Sequence, residues 1–433
     1  MAPLGIARLL AGPGFSAGPE RLGDHVARLG PLPPRAGSRD LIGTLDASGL
    51  LGRGGAGFPV GRKWRSVAER SRGGGAVVLV NGAEGEPLSH KDALLMSLRP
   101  HLVLDGAELA AEAVGADEIV LYVGAAHAAA GLALEQAVAE RTATRPPRPG
   151  SGHRGSSHSA AARIAVAPQR YISGEESAAV HFVNEGDARP MTTPPRPFDR
   201  GVGGRPTVVQ NVESLAYAAL IARFGDAWYR EPGRGATRGT ALVTTSGLRG
   251  RAQVHEIELG TTVGEVAGLA RPAAERDQVQ AVLLGGYFGG WLEAGAAWNL
   301  PLDPANLRER DLSFGCGVVG FLTTSACPVA TSARIISYMA GESAAQCGPC
   351  VFGLRSIADA AARIANLNPM RDDLSNIERW IGQVRNRGAC RHPDGAVGLL
   401  ARSLDQFGAE FYLHQARGRC SRPPRGATVG RVA

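Results

Sequence analysis

Two hydrophobic patterns alternate along the chain up to about residue 238. Short runs of apolar, β-branched residues occur at 76–80, 118–123 and 163–166, and each run leads into a loop. Alanine-rich stretches with helical spacing follow the first two runs. Strands that are buried on both faces read as continuous apolar runs, and their alternation with helices is typical of a parallel sheet. The pattern therefore predicts an α/β domain.

The pattern changes near residue 239. Short alternating strands are predicted at 241–246, 253–259 and 281–284, separated by turns and one helix, as in a small β-rich domain of the ubiquitin-like grasp kind. Beyond about residue 329 only helical periods remain, and they predict four helices packed as a bundle. The predicted order is thus an α/β domain, a β-grasp domain and a four-helix bundle.

These changes of pattern also give the predicted boundaries of the domains. We expect a variable, partly ordered arm at 1–38, the α/β domain at 39–238, the β-grasp domain at 239–328, the bundle at 329–415 and a flexible tail at 416–433. A low-complexity insertion is predicted at 145–159.

Composition narrows the class of protein. The 433 residues carry a formal charge of +7, almost all of it from arginine, but the arginines are scattered, which argues against nucleic-acid binding and favours a solvated surface or an acidic protein partner. No apolar run reaches the roughly 18 residues needed to cross a bilayer, and the N-terminus lacks a signal pattern. Six unevenly spaced cysteines do not resemble a disulfide framework. We therefore expect a cytoplasmic protein that is not inserted in a membrane.

Lysine is rare in this sequence. Only Lys63 and Lys91 occur, although arginine is abundant. A lysine retained in such a chain suggests a place that needs a compact ammonium group rather than a planar guanidinium.

A glycine-rich loop lies at residues 52–57. Its spacing, Gly52, Gly54 and Gly57, matches Gly-x-Gly-x-x-Gly, but it follows a predicted helix and not the strand that a dinucleotide fingerprint requires. Its backbone N–H groups could still hold a phosphate, with Lys63 adding charge. The alternative is a glycine-rich turn without a ligand.

Two more loops follow predicted strands, where ligands of α/β sheets collect, and a fourth loop at 201–213 contributes amides. They place carboxylates and amides beside glycines, groups that can bind ribityl or ribose hydroxyls; the alternative is a set of solvated turns. The residues concerned are Asn81, Glu84 and Glu86, then Tyr171, Gly174, Glu175 and Glu176, and finally Gln210 and Asn211.

Two cysteines, Cys347 and Cys350, are close enough in sequence to share a metal. A redox dithiol, half of a zinc site and two ligands of an iron–sulfur cluster are all compatible with Cys-x-x-Cys. Helical spacing on both sides of the motif argues against the dithiol, which belongs in a βαβ unit. With Cys390 forty residues later, an iron–sulfur cluster is favoured. Cys327 could approach that cluster, although a buried structural thiol is the favoured interpretation, and Cys420 is interpreted as incidental.

Together these motifs closely resemble the NADH-binding, FMN-carrying iron–sulfur subunit of respiratory complex I and its relatives in NAD-reducing hydrogenases and formate dehydrogenases. The likeness runs from about Ser38 to Leu413 and rests on GRGGAGFPVGRKW, NGAEGEP, YISGEES, GRPTVVQNVESL and ESAAQCGPC. The resemblance implies the order of domains given above, with the α/β domain binding FMN and the bundle holding a [4Fe–4S] cluster.

The resemblance also implies roles for residues. FMN would be surrounded by Gly52, Gly54, Gly55, Gly57, Lys63, Asn81, Glu86, Tyr171, Gly174, Glu175, Gln210 and Asn211. Phe58, Glu86 and Glu176 would meet NADH, with both glutamates in the catalytic centre, and Cys347, Cys350 and Cys390 would hold the cluster. Electrons would pass to a ferredoxin or to a membrane-associated subunit.

The chain departs from the family motif at several positions. Ala344 stands where the family has a fourth cysteine, so Glu342, Ser343, His392 or water would complete the cluster, or a [3Fe–4S] cluster would form. An acidic residue of the second loop is replaced by Ala83. Ser66, Thr193 and Arg196 replace residues that hold the nucleotide. An electron-transfer subunit that has lost NADH binding is therefore the alternative function.

Overall fold

The computed structural model describes residues 7–32, 38–71, 75–144, 160–247, 251–270 and 277–422, which excludes the predicted insertion at 145–159 and the predicted tail after 422. The helices are α1 (Leu22–Leu29), α2 (Ser38–Ser48), α3 (Val60–Arg70), α4 (Lys91–Leu98), α5 (Pro100–Val114), α6 (Ala128–Thr144), α7 (Glu176–Glu185), α8 (Val212–Arg230), α9 (Val263–Ala270), α10 (Ala294–Ala297), α11 (Pro304–Glu309), α12 (Pro328–Gly341), α13 (Arg355–Ala365), α14 (Asp373–Val384) and α15 (His392–Arg417). The strands are β1 (Ala76–Gly82), β2 (Ala116–Gly124), β3 (Ala161–Ala167), β4 (Thr207–Asn211), β5 (Thr240–Ser246), β6 (Gln253–Glu258), β7 (Val279–Leu284), β8 (Gly290–Glu293) and β9 (Val318–Thr323).

The first sheet is parallel, with the strand order β3-β2-β1-β4. Alternate residues of β1 face opposite sides, because side chains alternate along a strand. Val78 and Val80 pack in a core shared with α2, α3, α5 and α8, whereas Val77 and Leu79 pack in a second core shared with α7. Burial on both faces explains the continuous apolar runs, and the predicted α/β domain with a parallel sheet is confirmed.

The second sheet is mixed, with the order β6-β5-β9-β7-β8 and a parallel pair at β5 and β9. Val243, Val282 and Phe321 contribute to its own core. The sequence predicted β5, β6 and β7 but neither β8 nor β9, and it predicted one helix here, where the described residues form α9, α10 and α11. β9 is glycine-interrupted in sequence, and it is a strand because β5 and β7 pair with its two edges.

The last four helices, α12 to α15, pack on one another around a shared core that includes Ile336, Ile357, Ile377 and Leu400. The segment with Cys347 and Cys350 connects α12 to α13 and runs into a π-helical turn at Pro349–Leu354. It therefore lies between helices, as its flanking periodicity predicted.

The segment at 7–32, within the arm predicted at 1–38, packs on the protein. Leu9 is fully buried, and the buried carboxylate of Glu256 accepts the backbone N–H groups of Arg8, Leu9 and Leu10 at 2.8–3.1 Å. Glu256, which binds this backbone, lies almost 250 residues away in sequence. A local hydrophobic pattern cannot reveal so distant a contact. In the described part of the chain, no helix has the length and apolarity that a bilayer crossing requires.

Candidate cofactor site

The glycine-rich loop connects α2 to α3. Gly55 and Gly57 have φ values of +116° and +63°, and a Cβ added to either would meet no atom within 4 Å. The loop is anchored by a hydrogen bond from the Arg53 backbone N–H to Ser214 Oγ at 2.9 Å. The loop therefore presents an open surface of backbone, held by α8, in which a ligand has room.

Lys63 extends from the first turn of α3 over the end of β4. Its ammonium group lies 3.1 Å from Glu176 Oε2 and 3.0 Å from the Val209 carbonyl oxygen, and its side chain is 25% exposed. A cation is thus placed beside the glycine-rich loop, where a phosphate could reach it.

The other lysine has a different role. Lys91 is buried between the carboxylates of Asp92 and Glu213, at 2.8 and 2.9 Å. A compact ammonium group is needed here as predicted, but its partners are two protein carboxylates.

The loops at the strand ends contact one another. Asn81 Nδ2 donates to the Gly174 carbonyl oxygen at 2.9 Å, and Trp64 Nε1 donates to Gln210 Oε1 at 3.4 Å. Asn211 caps α8 through the Glu213 backbone N–H at 3.0 Å. The carboxyl ends of β1, β3 and β4 therefore converge with the glycine-rich loop, as expected for a ligand site of a parallel sheet.

Glu86 is buried beneath these loops. Its carboxylate accepts the Tyr287 backbone N–H at 2.8 Å, the Leu88 backbone N–H at 3.2 Å and the Tyr171 hydroxyl at 3.4 Å. Burial raises the pKa of Glu86 to about 7, although these hydrogen bonds act in the opposite direction. Glu86 can therefore exchange a proton near neutral pH.

Glu175 and Glu176, which are adjacent at the start of α7, have different partners. Glu175 caps α7, accepting the backbone N–H groups of Ser177 and Ala178 at 2.9 Å, and burial raises its pKa. Glu176 is partly exposed and pairs with Lys63. Phe58, on the outside of the glycine-rich loop, is 48% exposed and free to contact a ligand from solvent.

Tyr171 joins this region to the last four helices. Its backbone N–H donates to Glu342 Oε2 at 2.7 Å, and its ring centroid lies 5.7 Å from that of His392 and 5.1 Å from that of Phe288. Arg170 donates to the Ser343 carbonyl oxygen at 2.8 Å. The loop after β3 therefore contacts the cysteine segment directly.

The three cysteines assigned to a cluster influence one another. Burial, together with the neighbouring thiols of Cys347 and Cys390, raises the pKa of Cys350 to about 12. Burial also raises the pKa of Cys390, with added repulsion from Glu175 and Cys347. Mutual repulsion of buried thiolates is relieved by cations bound among them, which fits a thiolate-ligated iron–sulfur cluster.

Ala344, at the position of the missing cysteine, is buried. The Glu342 carboxylate already accepts the Tyr171 backbone N–H, and the Ser343 side chain hydrogen-bonds to the Cys350 thiol. The His392 ring is also buried; its Nε2 donates to the Met339 carbonyl oxygen at 2.7 Å, and its Nδ1 has no partner among the described residues. A carbonyl can only accept, so His392 keeps an unused lone pair on Nδ1.

Cys327 and Cys420 lie apart from the three cysteines assigned to the cluster. Cys327 caps the start of α12 and therefore lies at the end of this 14-residue helix opposite the cysteine segment, about 20 Å away at 1.5 Å per residue. The expectation that Cys327 could approach the cluster is wrong. Its neighbour is His414, with 3.6 Å between Sγ and Nε2, and Cys420 lies in the same group.

Comparisons with known proteins agree with this arrangement. The family model described as the Nuo51 FMN-binding domain matches residues 45–219, and the model described as the NADH-ubiquinone oxidoreductase-F iron-sulfur binding region matches residues 330–414. The first match contains the four loops, and the second contains Cys347, Cys350 and Cys390.

Relatives match over most of the chain. The second F-type subunit of NADH-quinone oxidoreductase of Rhizobium meliloti (strain 1021) is 31% identical over 385 residues, which cover 88% of this chain and 90% of the relative. The mitochondrial NADH dehydrogenase [ubiquinone] flavoprotein 1 of Dictyostelium discoideum is 30% identical over 374 residues, covering 86% and 78%.

Solved structures of an NAD⁺-reducing [NiFe]-hydrogenase share the fold. The air-oxidized form matches with a TM-score of 0.75 and 28% identity over 88% of this chain, and the H₂-reduced form with a TM-score of 0.76 and 28% identity over 94%. This chain spans 64% and 68% of the respective hydrogenase chains. The two matched domain models and the near full-length relatives together show that the chain belongs to the NADH-quinone oxidoreductase F-type family of flavoproteins.

Proposed function

We propose that this chain takes hydride from NADH on a bound FMN and passes single electrons through an iron–sulfur cluster to a protein acceptor. The observation that carries the proposal is the contact of the Tyr171 loop with both halves of the site. Through it, the strand-end loops meet the helices that hold Cys347, Cys350 and Cys390. When bound, FMN supplies the conversion of a two-electron donor into single electrons.

The protein's part in this reaction is binding, orientation and control of charge. We assign the flavin environment to the glycine-rich loop, Lys63 and the strand ends: Gly52, Gly54, Gly55, Gly57, Lys63, Asn81, Glu86, Tyr171, Gly174, Glu175, Gln210 and Asn211. Phe58, being exposed beside the loop, and Glu176, beside Lys63, are assigned to the nicotinamide nucleotide. Glu86 holds a proton on its buried carboxyl group near neutral pH, and it can release that proton when the charge beside it changes.

The finer architecture belongs to the same proposal. The mixed sheet with α9 supports a ubiquitin-like β-grasp domain at 239–328, and the packing of α12 to α15 supports a four-helix bundle at 329–415 that carries the cluster. The acceptor would be a ferredoxin or a membrane-associated subunit. The formal charge of +7 favours an acidic partner.

A second function is an electron-transfer subunit without NADH activity. It is favoured by Ser66, Thr193 and Arg196, which replace nucleotide-holding residues of the family motif. Ser66 Oγ only bonds back to the Arg62 carbonyl oxygen on α3, at 3.0 Å, and the side chains of Thr193 and Arg196 are exposed.

Anaerobic addition of NADH separates the two functions. For the first function, we expect the visible absorbance of the bound flavin to bleach on NADH addition. In a Phe58→Ala variant, bleaching should need more NADH, by roughly 2- to 10-fold, because a stacking aromatic contributes about 0.5–1.5 kcal/mol. Flavin that is bleached by dithionite but not by NADH would establish the second function instead.

Glu86 gives a prediction for pH. The folded protein binds more protons at Glu86 than the unfolded chain does between its ordinary pKa of 4.5 and about 7. The free energy of unfolding therefore falls as pH rises through this window, by up to about 3 kcal/mol. Glu86→Gln should remove this loss, so the thermal midpoint of the variant relative to wild type should rise from pH 5 to pH 8.

The control for this experiment is Glu69→Gln, which changes an exposed carboxylate on α3. Its thermal midpoint should follow that of wild type at every pH. A Glu86→Gln curve parallel to wild type would show that Glu86 is not protonated in the folded protein.

We assign the fourth position of the cluster to His392, because its buried Nδ1 lone pair has no partner among the described residues. In His392→Gln, the three cysteines should still hold iron, but one iron should be lost more easily, giving a paramagnetic signal in the oxidised protein by electron paramagnetic resonance. His90→Gln, an exposed residue at the start of α4, is the control. Identical spectra for His392→Gln and wild type would contradict the assignment.

A further inference from the structure

A second group of metal-binding side chains lies at the far end of α12 from the cluster cysteines. Cys327 at the N-cap of α12, Glu410 and His414 on α15, and Cys420 just after α15 place one ligand atom each within 4.8 Å of one another. Glu410 and His414 are one helical turn apart and therefore share a face. The group is assembled from three separate parts of the chain.

The His414 ring is oriented for ligation. Its Nδ1 lies 3.0 Å from the Ile364 carbonyl oxygen, which can only accept, so Nδ1 carries the proton. In the neutral ring, Nε2 then carries a lone pair, and it faces Cys327 Sγ at 3.6 Å and Glu410 Oε1 at 3.3 Å. Metal-binding histidines are commonly held in this way, with the other ring nitrogen bonded to a backbone carbonyl.

The two thiols also suit a metal. The Ala330 backbone N–H donates to Cys327 Sγ at 3.4 Å at the start of α12. Cys420 supplies the second thiol, and its Sγ lies within 4.8 Å of Cys327 Sγ. Two thiols beside an imidazole and a carboxylate form a donor set that zinc binds.

Two of the ligand–ligand distances can be compared with those expected around a single ion. In a tetrahedral zinc site with Zn–S of about 2.3 Å and Zn–N or Zn–O of about 2.0–2.1 Å, sulfur and nitrogen lie about 3.6 Å apart, and nitrogen and oxygen about 3.3 Å apart. The observed separations of 3.6 and 3.3 Å agree. We propose that Cys327, Glu410, His414 and Cys420 bind a structural zinc ion.

The zinc site would fix the segment after α15 to the start of α12. That segment is already positioned by the Ser421 backbone N–H, which donates to Glu410 Oε1 at 2.8 Å, and by Arg422, which donates to the Ala326 carbonyl oxygen at 3.2 Å. All four ligands are supplied by the protein, so no position is open for a substrate, as in structural zinc sites. The proposal stands apart from the redox function, because it concerns the end of α12 opposite the cluster.

The test measures zinc and iron separately in the purified full-length protein with its flavin bound, after growth in zinc-supplemented medium. We expect about one zinc per chain, with X-ray absorption at the zinc edge showing two sulfur ligands at about 2.3 Å. Cys327→Ser and His414→Gln should each lower zinc to below about a fifth of wild type, since a structural site needs all its ligands. Flavin and iron contents should stay unchanged, which also shows that the variants fold.

His181→Gln is the matched control, because His181 pairs with Glu185 at 3.2 Å with the same i, i+4 spacing, but lies outside the four-residue group. Its zinc content should equal that of wild type. If a variant fails to fold, Cys420→Ala, in the segment after the last helix, gives the same test. Protein without zinc, zinc retained in the folded variants, or a Cys327–Cys420 disulfide found by mass spectrometry would each overturn the proposal.

Discussion

Replacing Cys350 with serine is expected to remove the iron from this protein while leaving its flavin in place. Cys350 is 2% exposed, and it interacts electrostatically with the thiols of Cys347 and Cys390. The cluster already lacks the cysteine that Ala344 replaces, so a second loss would leave two thiolates. Iron and acid-labile sulfide should fall to less than about a tenth of wild type, because cluster binding depends on thiolate ligands.

The same variant should separate the two halves of the reaction. NADH should still bleach the flavin in Cys350→Ser, since Lys63, Glu86 and the glycine-rich loop are unchanged. Electron delivery to a ferredoxin should be lost. Cys316→Ser is the control for iron content, because Cys316 approaches the Gly285 carbonyl oxygen at 3.6 Å and is not one of the three cluster cysteines. Full iron content in Cys350→Ser would disprove its role as a ligand.

The second large effect is expected from Gly57→Val in the glycine-rich loop. A Cβ at Gly57 would meet no protein atom within 4 Å, so a steric conflict at this atom would come from a bound ligand. Inserting side-chain volume into a filled site costs about 1–3 kcal/mol, which corresponds to a loss of FMN affinity of roughly 5- to 150-fold. The measurement is flavin content after purification, followed by titration of flavin-depleted protein with FMN.

Gly57→Val also places a side chain on a backbone with positive φ, and the effect of this strain on stability needs its own control. Gly186, at the C-terminal end of α7, has a similar φ of +79° and is equally open. Gly57→Val and Gly186→Val should lower thermal stability by similar amounts, because a left-handed conformation costs a side-chain-bearing residue roughly 1–2 kcal/mol. Only Gly57→Val should lose flavin. Equal flavin loss in both variants would show that the effect is one of stability and that Gly57 does not line the flavin site.

Much of the architecture could be predicted from local patterns. The apolar runs that became β1 and β2 are continuous because those strands are buried on both faces, whereas β3 is a largely exposed edge strand. The helical periods around Cys347 correctly predicted a connection between helices. Two of the four loops were recognised from carboxylates and glycines at predicted strand ends, one from its glycine spacing and one from its amides. The structure brings the glycine-rich loop and the strand-end residues together where β1, β3 and β4 end, as the rules of parallel sheets imply.

Other parts depended on contacts between distant residues. β9 is a strand because β5 and β7 pair with it, and the segment at 7–32 is packed because Glu256 binds its backbone. The pKa of Glu86 is raised by burial in the folded protein, where Tyr171 and Tyr287 hydrogen-bond to its carboxylate. None of these partners is close in sequence, so hydrophobic periodicity, which is a local signal, carried no information about them.

The cysteines show the division between sequence and tertiary structure. Sequence alone determined that Cys347 and Cys350 form a close pair, since two intervening residues hold them together whatever the rest of the chain does. The chemistry of Cys327 and Cys420 was decided only by the fold: 93 positions separate them, and the packing of α12 against α15 brings them to the same histidine. Spacing fixes what the backbone can hold together locally, whereas a site built from distant segments exists only once the helices have packed.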